Sequence, residues 1–275
     1  MYFGLSEEQK SLEENIQRFL ADNAPLESIK AVADGDEEKA QAIHQGIIEL
    51  GLSGLVVPEE YGGLELNMLF ATVVSSALGS GTAPVPYIGS YVMAPMALNL
   101  AGTEEQKNKW LPKIAGGECQ IGVGLSEYVG ARENAGIEFA KNKINGRALF
   151  IIDGKNADAF IIANKSGELF IFDSSASGIE VVELTTVDKT RTSVELILEN
   201  VDSEKLAASD DITVIEKILD AGRLMLAADT VGAAQVMLDK SVAYSLERKQ
   251  FGRLIGSFQA VKHMCAEMAA ELEPC

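Results

Sequence analysis

The chain has 275 residues, 47% of them hydrophobic, and carries 23 Lys and Arg against 41 Asp and Glu, a net charge of −18. Such a length fills real cores, and the carboxylate excess excludes nucleic acid and anionic membrane as partners, since both need a positive surface. An anionic ligand such as a nucleotide then needs a local basic site.

Three cysteines, Cys119, Cys265 and Cys275, are an odd number for a disulfide framework and place the expected home in a reducing cytosol. No run reaches the length of a membrane span, and Met1 to Glu8 carries no basic leader pattern. At the start, Ser6 followed by Gln9 reads as a capping box before a stripe of Leu12, Ile16, Phe19 and Leu20. A second helix is expected from about Asp36 to Leu50, stopped by Gly51. Leu55 to Leu64 is a loop by its Pro and paired Gly. Helices follow over Leu66 to Leu78, then, after a connector ending at Gly89, up to Leu100. Thr103 and Gln106 form another capping box, opening a helix with the only tryptophan, Trp110. Five helices make a helical domain, residues 1–116.

Near Gly116 and Gly117 the apolar period changes to that of strands, giving a β domain over 117–208. Strand runs are expected at Cys119 to Leu125, Lys143 to Ile152, Ala159 to Ala163, Glu168 to Phe172, Ile179 to Val182 and Val194 to Leu198. Asn145-Gly146, Asp153-Gly154 and Ser177-Gly178 supply turns. The pattern predicts an antiparallel barrel or sandwich. A partial helical domain, 209–275, closes the chain. Its first helix runs from about Thr213 to Glu247, with Ile215, Ile218, Leu219, Leu226, Met237 and Leu238 near helical spacing. Ser257 is positioned to cap the next, whose stripe is Val261, Met264, Cys265, Met268 and Leu272.

Between these helices, Arg248, Lys249 and Arg253 set three cations beside Phe251. A basic helix C-terminus accounts for such charges through the helix dipole; so does a phosphate-bearing ligand. The residue order Tyr244-x-x-x-Arg-Lys-Gln-Phe-Gly-x-x-Ile-x-x-Phe-Gln259 resembles the signature of the acyl-CoA dehydrogenases, FAD enzymes that oxidise the α,β bond of acyl-CoA thioesters. Pro58-Glu-Glu-Tyr-Gly-Gly-Leu64 and Gly102-Thr-Glu-Glu-Gln-Lys-x-x-Trp-Leu-Pro112 resemble the same family's N-terminal domain. The resemblance covers the whole chain in its order of helical, β and helical domains, an α+β multidomain fold. It stops where family members continue, with only two helices of a four-helix C-terminal bundle, so a fragment or truncated product is expected.

The resemblance assigns Arg248, Phe251 and Gln259 to an FAD held by a neighbouring subunit. The partners it implies are an acyl-CoA substrate, an electron-transfer flavoprotein, and further subunits in a homodimer, homotetramer or hetero-oligomer. The family's Thr-Glu-Pro-x-Ala-Gly-Ser-Asp segment appears here as Ser126-Glu-Tyr-Val-Gly-Ala-Arg-Glu133, so Leu125 and Ser126 take the flavin position. Arg132 stands where a serine would meet CoA. Trp-Ile-Thr-Asn appears as Phe150-Ile-Ile-Asp153; Phe150 keeps a ring for stacking, while Ile152 has no hydroxyl. Arg223 keeps a position near the acyl-CoA. The glutamate base of the family precedes that Arg or lies in the absent C-terminal segment; here the preceding residue is Gly222, so the base is unassigned. Glu216, Asp220 and Asp229 on the same helix read as a solvated face. A partner subunit contributing Arg248, Phe251 and Gln259 to a flavin whose base comes from another chain is the alternative. His44 and His263 have no Cys or carboxylate at ligand spacing, so no metal site is expected.

Overall fold

A computed structural model describes residues 4–130 and 135–275. Ser6 caps α1 (Glu7–Asn23) as its spacing requires: the hydroxyl accepts the Gln9 amide at 3.2 Å, and Gln9 Oε1 accepts the Ser6 amide at 2.9 Å. The expected helix near Asp36 is α3 (Glu37–Glu49), closed by Gly51 at φ +76°. Before it lies α2 (Leu26–Ala33), which the pattern missed because eight residues with one buried side chain, Ile29, show no sustained period. Asn67 caps α4 (Met68–Ser80). A π-helix, Tyr87–Met93, then runs directly into α5 (Ala94–Ala101), so Gly89 lies inside a helix rather than ending a connector. The cause is tertiary: Asp153 Oδ2 accepts the amides of Gly89 at 2.7 Å and Ser90 at 3.1 Å. The Thr103 and Gln106 capping box opens α6 (Glu104–Ala115).

The sheet strands are β1 (Ile121–Gly124), β2 (Gly136–Ala140), β3 (Lys143–Ile152), β4 (Ala159–Ala163), β5 (Leu169–Asp173), β6 (Ile179–Glu183), β7 (Ser193–Asp202) and β8 (Glu204–Lys205). Their order is β6-β7-β3-β1-β4-β5-β8, with β2 on β3. The sheet is mixed, which corrects the purely antiparallel expectation: β1 and β4 run parallel, from Ile121 opposite Ala159 to Gly124 opposite Ile162. Asn145-Gly146 also makes no turn. β3 runs straight through it with Gly146 at φ +127°, and the β2 to β3 hairpin turns at Lys141 and Asn142, whose φ angles of 53° and 58° suit a primed turn. One face of the sheet, with Ile121, Val123, Ile161 and Ile171, joins the helical core around Leu111, Ile114 and Ile215. The other face packs Ile144, Phe160, Phe170 and Leu196 into a second core.

The helix α7 (Ile212–Glu247) crosses α4 at backbone distance. A Cβ on Gly232 would lie 1.9 Å from the Ser76 carbonyl oxygen, and one on Gly79 would lie 2.1 Å from that of Asp229. Ser75 Oγ donates to the Met225 carbonyl at 2.7 Å in the same seam. The buried stripe therefore comprises Ile215, Ile218, Gly222, Met225, Asp229 and Gly232. Leu226 and Met237, expected in it, are 50% and 69% exposed. After α7 come a small hairpin of β9 (Lys249–Gln250) and β10 (Arg253–Leu254), then α8 (Gln259–Leu272). Ser257 does not cap α8; its hydroxyl donates to Leu254 O and Phe258 takes the cap position. No α8 residue is buried; the stripe from Val261 to Leu272 is left uncovered, as half of a four-helix bundle implies, with Val261, Cys265 and Leu272 only partly exposed.

Candidate functional site

The sequence-assigned residues fall into two groups. The first lies where β1 ends beside β3, with Val123 opposite Ile152. Leu125 is buried in the helical core, so it offers its backbone rather than its side chain. Ser126 follows it, and its hydroxyl donates to the Leu149 carbonyl, which ties the loop to β3. Glu127 turns back to accept the Ile137 amide at 2.8 Å; burial raises its carboxyl above the usual range, against the pull of that amide and of Lys165. On β3 an irregularity in the pairing between Ala148 and Ile151 accompanies Phe150 at φ +53°, which leaves the ring half exposed. Ile152 is spent on packing: its Cγ1 would lie 3.0 Å from a Cβ on Gly89 of the π-helix. Arg132 lies outside the described residues.

The π-helix packs on β1 and α7 packs on the π-helix, so the N-terminal half of α7 flanks this region. Arg223 is exposed there and pairs with Asp220 at 3.0 Å. Gly222 is buried against Met93, whose Sδ would lie 2.7 Å from an added Cβ. Glu216 and Asp220 are solvent-facing, as expected. Asp229 is not, which corrects the solvated reading: it sits in the buried stripe and receives Arg191 in two parallel bonds, Nη1 to Oδ2 at 2.9 Å and Nη2 to Oδ1 at 2.5 Å. Its signal was legible as an acid in register with Met225 and Gly222, four and seven residues earlier.

The second group lies at the far end of α7. From Arg223 to Arg248 is about 37 Å at helical rise, so the chain does not bring the groups together. Phe251, at φ +53° on the hairpin tip, is 92% exposed, with its ring edge-on to Phe258. Arg253 stacks over Phe258 at 4.0 Å. Arg248 and Lys249 make no ion pair among the described residues, and Gln259 is exposed. The donor set of each group fits half of a flavin nucleotide: an open aromatic face and backbone at Phe150, unpaired cations and a second ring at Arg248 and Phe251. Ile152 supplies no hydrogen bond where the family pattern has a threonine.

A helical domain, a mixed sheet and a pair of long helices, with these motifs on them, define a flavin-dependent dehydrogenase fold. The family model for the acyl-CoA dehydrogenase N-terminal domain matches residues 6–118, and that for the C-terminal domain matches residues 212–274. The 3-(aryl)acrylate reductase of Clostridium sporogenes is 30% identical over 96% of this chain and 76% of its own length. CarC, a subunit of the caffeyl-CoA reductase-Etf complex of Acetobacterium woodii, is 29% identical over 99% of this chain and 77% of its own. An acyl-CoA dehydrogenase of Bacillus anthracis, solved with FAD, superposes with a TM-score of 0.87 at 25% identity, covering 98% of this chain and 49% of that one. The chain belongs to the acyl-CoA dehydrogenase family, whose members are FAD-dependent oxidoreductases.

Proposed function

We propose that the chain is a subunit of an FAD-dependent enzyme that oxidises an acyl-CoA to its 2,3-enoyl-CoA and passes the electrons to an electron-transfer flavoprotein. Its divisions follow as a helical domain over 1–116, a β domain over 117–208 and a helical segment over 209–275. The observation that carries the proposal is the separation of the assigned residues along α7. Leu125, Ser126, Phe150 and Ile152 form one half-site, and Arg248, Phe251 and Gln259 form another about 37 Å beyond Arg223. Two half-sites at opposite ends of one long helix, the first on β1 and β3 beside its N-terminal half and the second around the hairpin after it, make whole sites only when copies pair, each hairpin reaching the sheet of its neighbour.

Bound FAD would supply the hydride acceptor. The chain's own residues bind and orient: Phe150 offers a stacking face, Arg248 a planar donor for phosphate or ring oxygen, and Arg223 and Arg132 cations for the CoA end of the substrate. Proton removal is the step these residues leave to others. Asp220 is engaged with Arg223, Glu216 faces solvent, and Gly222 has no carboxylate. Gly222 and the missing hydroxyl at Ile152 favour a second reading, a partner subunit that completes a flavin site whose base belongs to another chain.

The test is purification under non-denaturing conditions, with flavin measured by absorbance and mass by light scattering. A yellow assembly of two or more copies is expected, and Arg248→Ala lowers both flavin content and association. A monomer with full flavin occupancy contradicts the paired site; a preparation that takes up no added FAD removes the cofactor assignment.

A further inference from the structure

A cleft of about 630 Å³ among the described residues contains none of the residues assigned to flavin or acyl-CoA. It opens at the opposite end of β1 from Ser126, where Gln120, the β3 to β4 turn and the loop before β7 face α2, α3 and Pro84 to Pro86. Its volume is that of an ordinary small-molecule site.

Its floor is a charged triad. Asp153, set at the end of β3, lines the cleft; one carboxylate oxygen, Oδ2, accepts the two π-helix amides, and no described residue donates to Oδ1. Arg191, also in the lining, lies near enough to favour the Asp153 anion, yet its own guanidinium is committed in two bonds to Asp229. Two carboxylates thus share one cation, and one negative charge is left over. Nearby groups do not cancel it. Lys155 is itself divided between Glu37 at 3.3 Å and Glu183 at 3.4 Å, and His44 Nε2 is hydrogen-bonded with the Tyr91 hydroxyl at 2.5 Å while burial holds its pKa below the ordinary value. Counting the groups bonded to the lining, Asp229 on Arg191 and Lys39 on Asp36, five carboxylates (Asp36, Glu37, Asp153, Glu183, Asp229) face four cations (Lys39, Lys155, Lys189, Arg191).

A partly buried carboxylate oxygen with no donor of its own is relieved by a proton or by a counter-charge. We propose that this cleft is a binding site for a small ligand bearing a protonated amine, its ammonium seated on the free oxygen of Asp153 and its apolar part against Val85, Pro84 and Leu184. The inference is independent of the flavin assignment. Burial pushes the Asp153 carboxyl up to about 6, so proton and ammonium compete for the same oxygen near neutrality.

The test is calorimetric titration of the full chain with n-butylammonium chloride, and with sodium butyrate as the anionic counterpart, at pH 8 and pH 5 and equal ionic strength. The amine is expected to bind at pH 8 and about tenfold more weakly at pH 5, where a carboxyl titrating near 6 is largely protonated. Butyrate should bind at neither pH, and Asp153→Asn should abolish amine binding. Equal affinity at both pH values, butyrate binding as tightly as the amine, or no amine binding at concentrations on the order of 10 mM overturns the proposal. Should Asp153→Asn fail to fold, carboxyl NMR of the unaltered protein decides: saturating amine must lower the Asp153 titration midpoint, and an unmoved midpoint refutes the site.

Discussion

Removing Asp229 should destabilise the protein far more than its place among the acids of a long amphipathic helix suggests. Asp229→Ala deletes both acceptors of Arg191 and leaves that guanidinium, whose side chain is only 28% exposed, beside one carboxylate already bonded to two amides. Breaking a buried pair from one side costs roughly 3–5 kcal/mol; some solvent reaches Arg191, so about 2–4 is the expectation here. For a chain of this size that corresponds to a fall in melting temperature of roughly 5–12 °C. Removing both charges is a different perturbation. Arg191→Met with Asp229→Leu exchanges the pair for apolar side chains of similar volume, and a buried pair so replaced is often neutral or better. The assay is urea and thermal unfolding of the three proteins by circular dichroism and tryptophan fluorescence, the latter reporting Trp110. A loss below about 1 kcal/mol for Asp229→Ala, or a double variant no more stable than the single one, would show that the pair is solvated and the argument unsound.

The same geometry sets three further outcomes. Gly232→Ala puts a methyl 1.9 Å from the Ser76 carbonyl, a backbone atom that cannot step aside, so α4 and α7 must part; a loss of about 1–3 kcal/mol or more in chemical denaturation is expected, and an unchanged midpoint contradicts the crossing. Asp153 titrates near 6 in the folded chain against an ordinary 3.8, so its neutral form is the one folding favours: that contribution is whole below about pH 4 and lost as pH rises through 6, and it is worth about 3 kcal/mol at most. Asp153→Asn, whose amide oxygen still accepts Gly89 and Ser90, should therefore flatten the stability profile between pH 4 and 6, and a profile parallel to the parent's refutes the assignment. Gly222→Glu alone is expected to give no acyl-CoA-dependent flavin reduction, because Met93 Sδ occupies its path, whereas Met93→Ala with Gly222→Glu opens that path; equal turnover in single and double variants would dismiss Met93 as the obstacle.

What was legible in the sequence was what local chemistry dictates. Ser6 with Gln9 and Thr103 with Gln106 announce their helices because capping needs only residues three apart, and both boxes form. The errors share another origin. Asn145-Gly146 has the composition of a hairpin turn, yet β7 pairs along β3 across it, with Gly146 opposite Leu198, and the turn moves to Lys141 and Asn142. Gly89 looks like a connector until Asp153, 64 residues away, caps its amide. The α7 stripe was misplaced because large apolar residues, Leu226 and Met237, dominate the apolar period and mask Gly222, Gly232 and Asp229, on which the close crossing depends. Among the site residues, family motifs named Arg248, Phe251 and Phe150, all exposed side chains. Asp153 was legible only as a turn residue and as the end of the Phe150 motif; its bonds to the π-helix, and the pairing of Arg191 with Asp229, become visible only when the sheet meets the helices.

Gly222 shows how far a vacancy in a motif differs from a vacancy in space. The sequence shows a missing carboxylate at the position where some relatives of this fold carry their base, and that alone would suggest an open place awaiting one. The structure fills it. Met93 comes from the π-helix, and that helix is held at its start by Asp153 and along its side by α7, so Met93 is fixed by the two elements that also define the approach to Phe150. A glycine under a thioether is a packing solution: it lets α7 lie close to the π-helix, in the manner that Gly232 lets it lie close to α4. On the proposed reading, a carboxylate supplied by another segment or another chain has its open approach on the side of α7 that Arg223 faces, since the side beneath Gly222 is filled by the Met93 thioether.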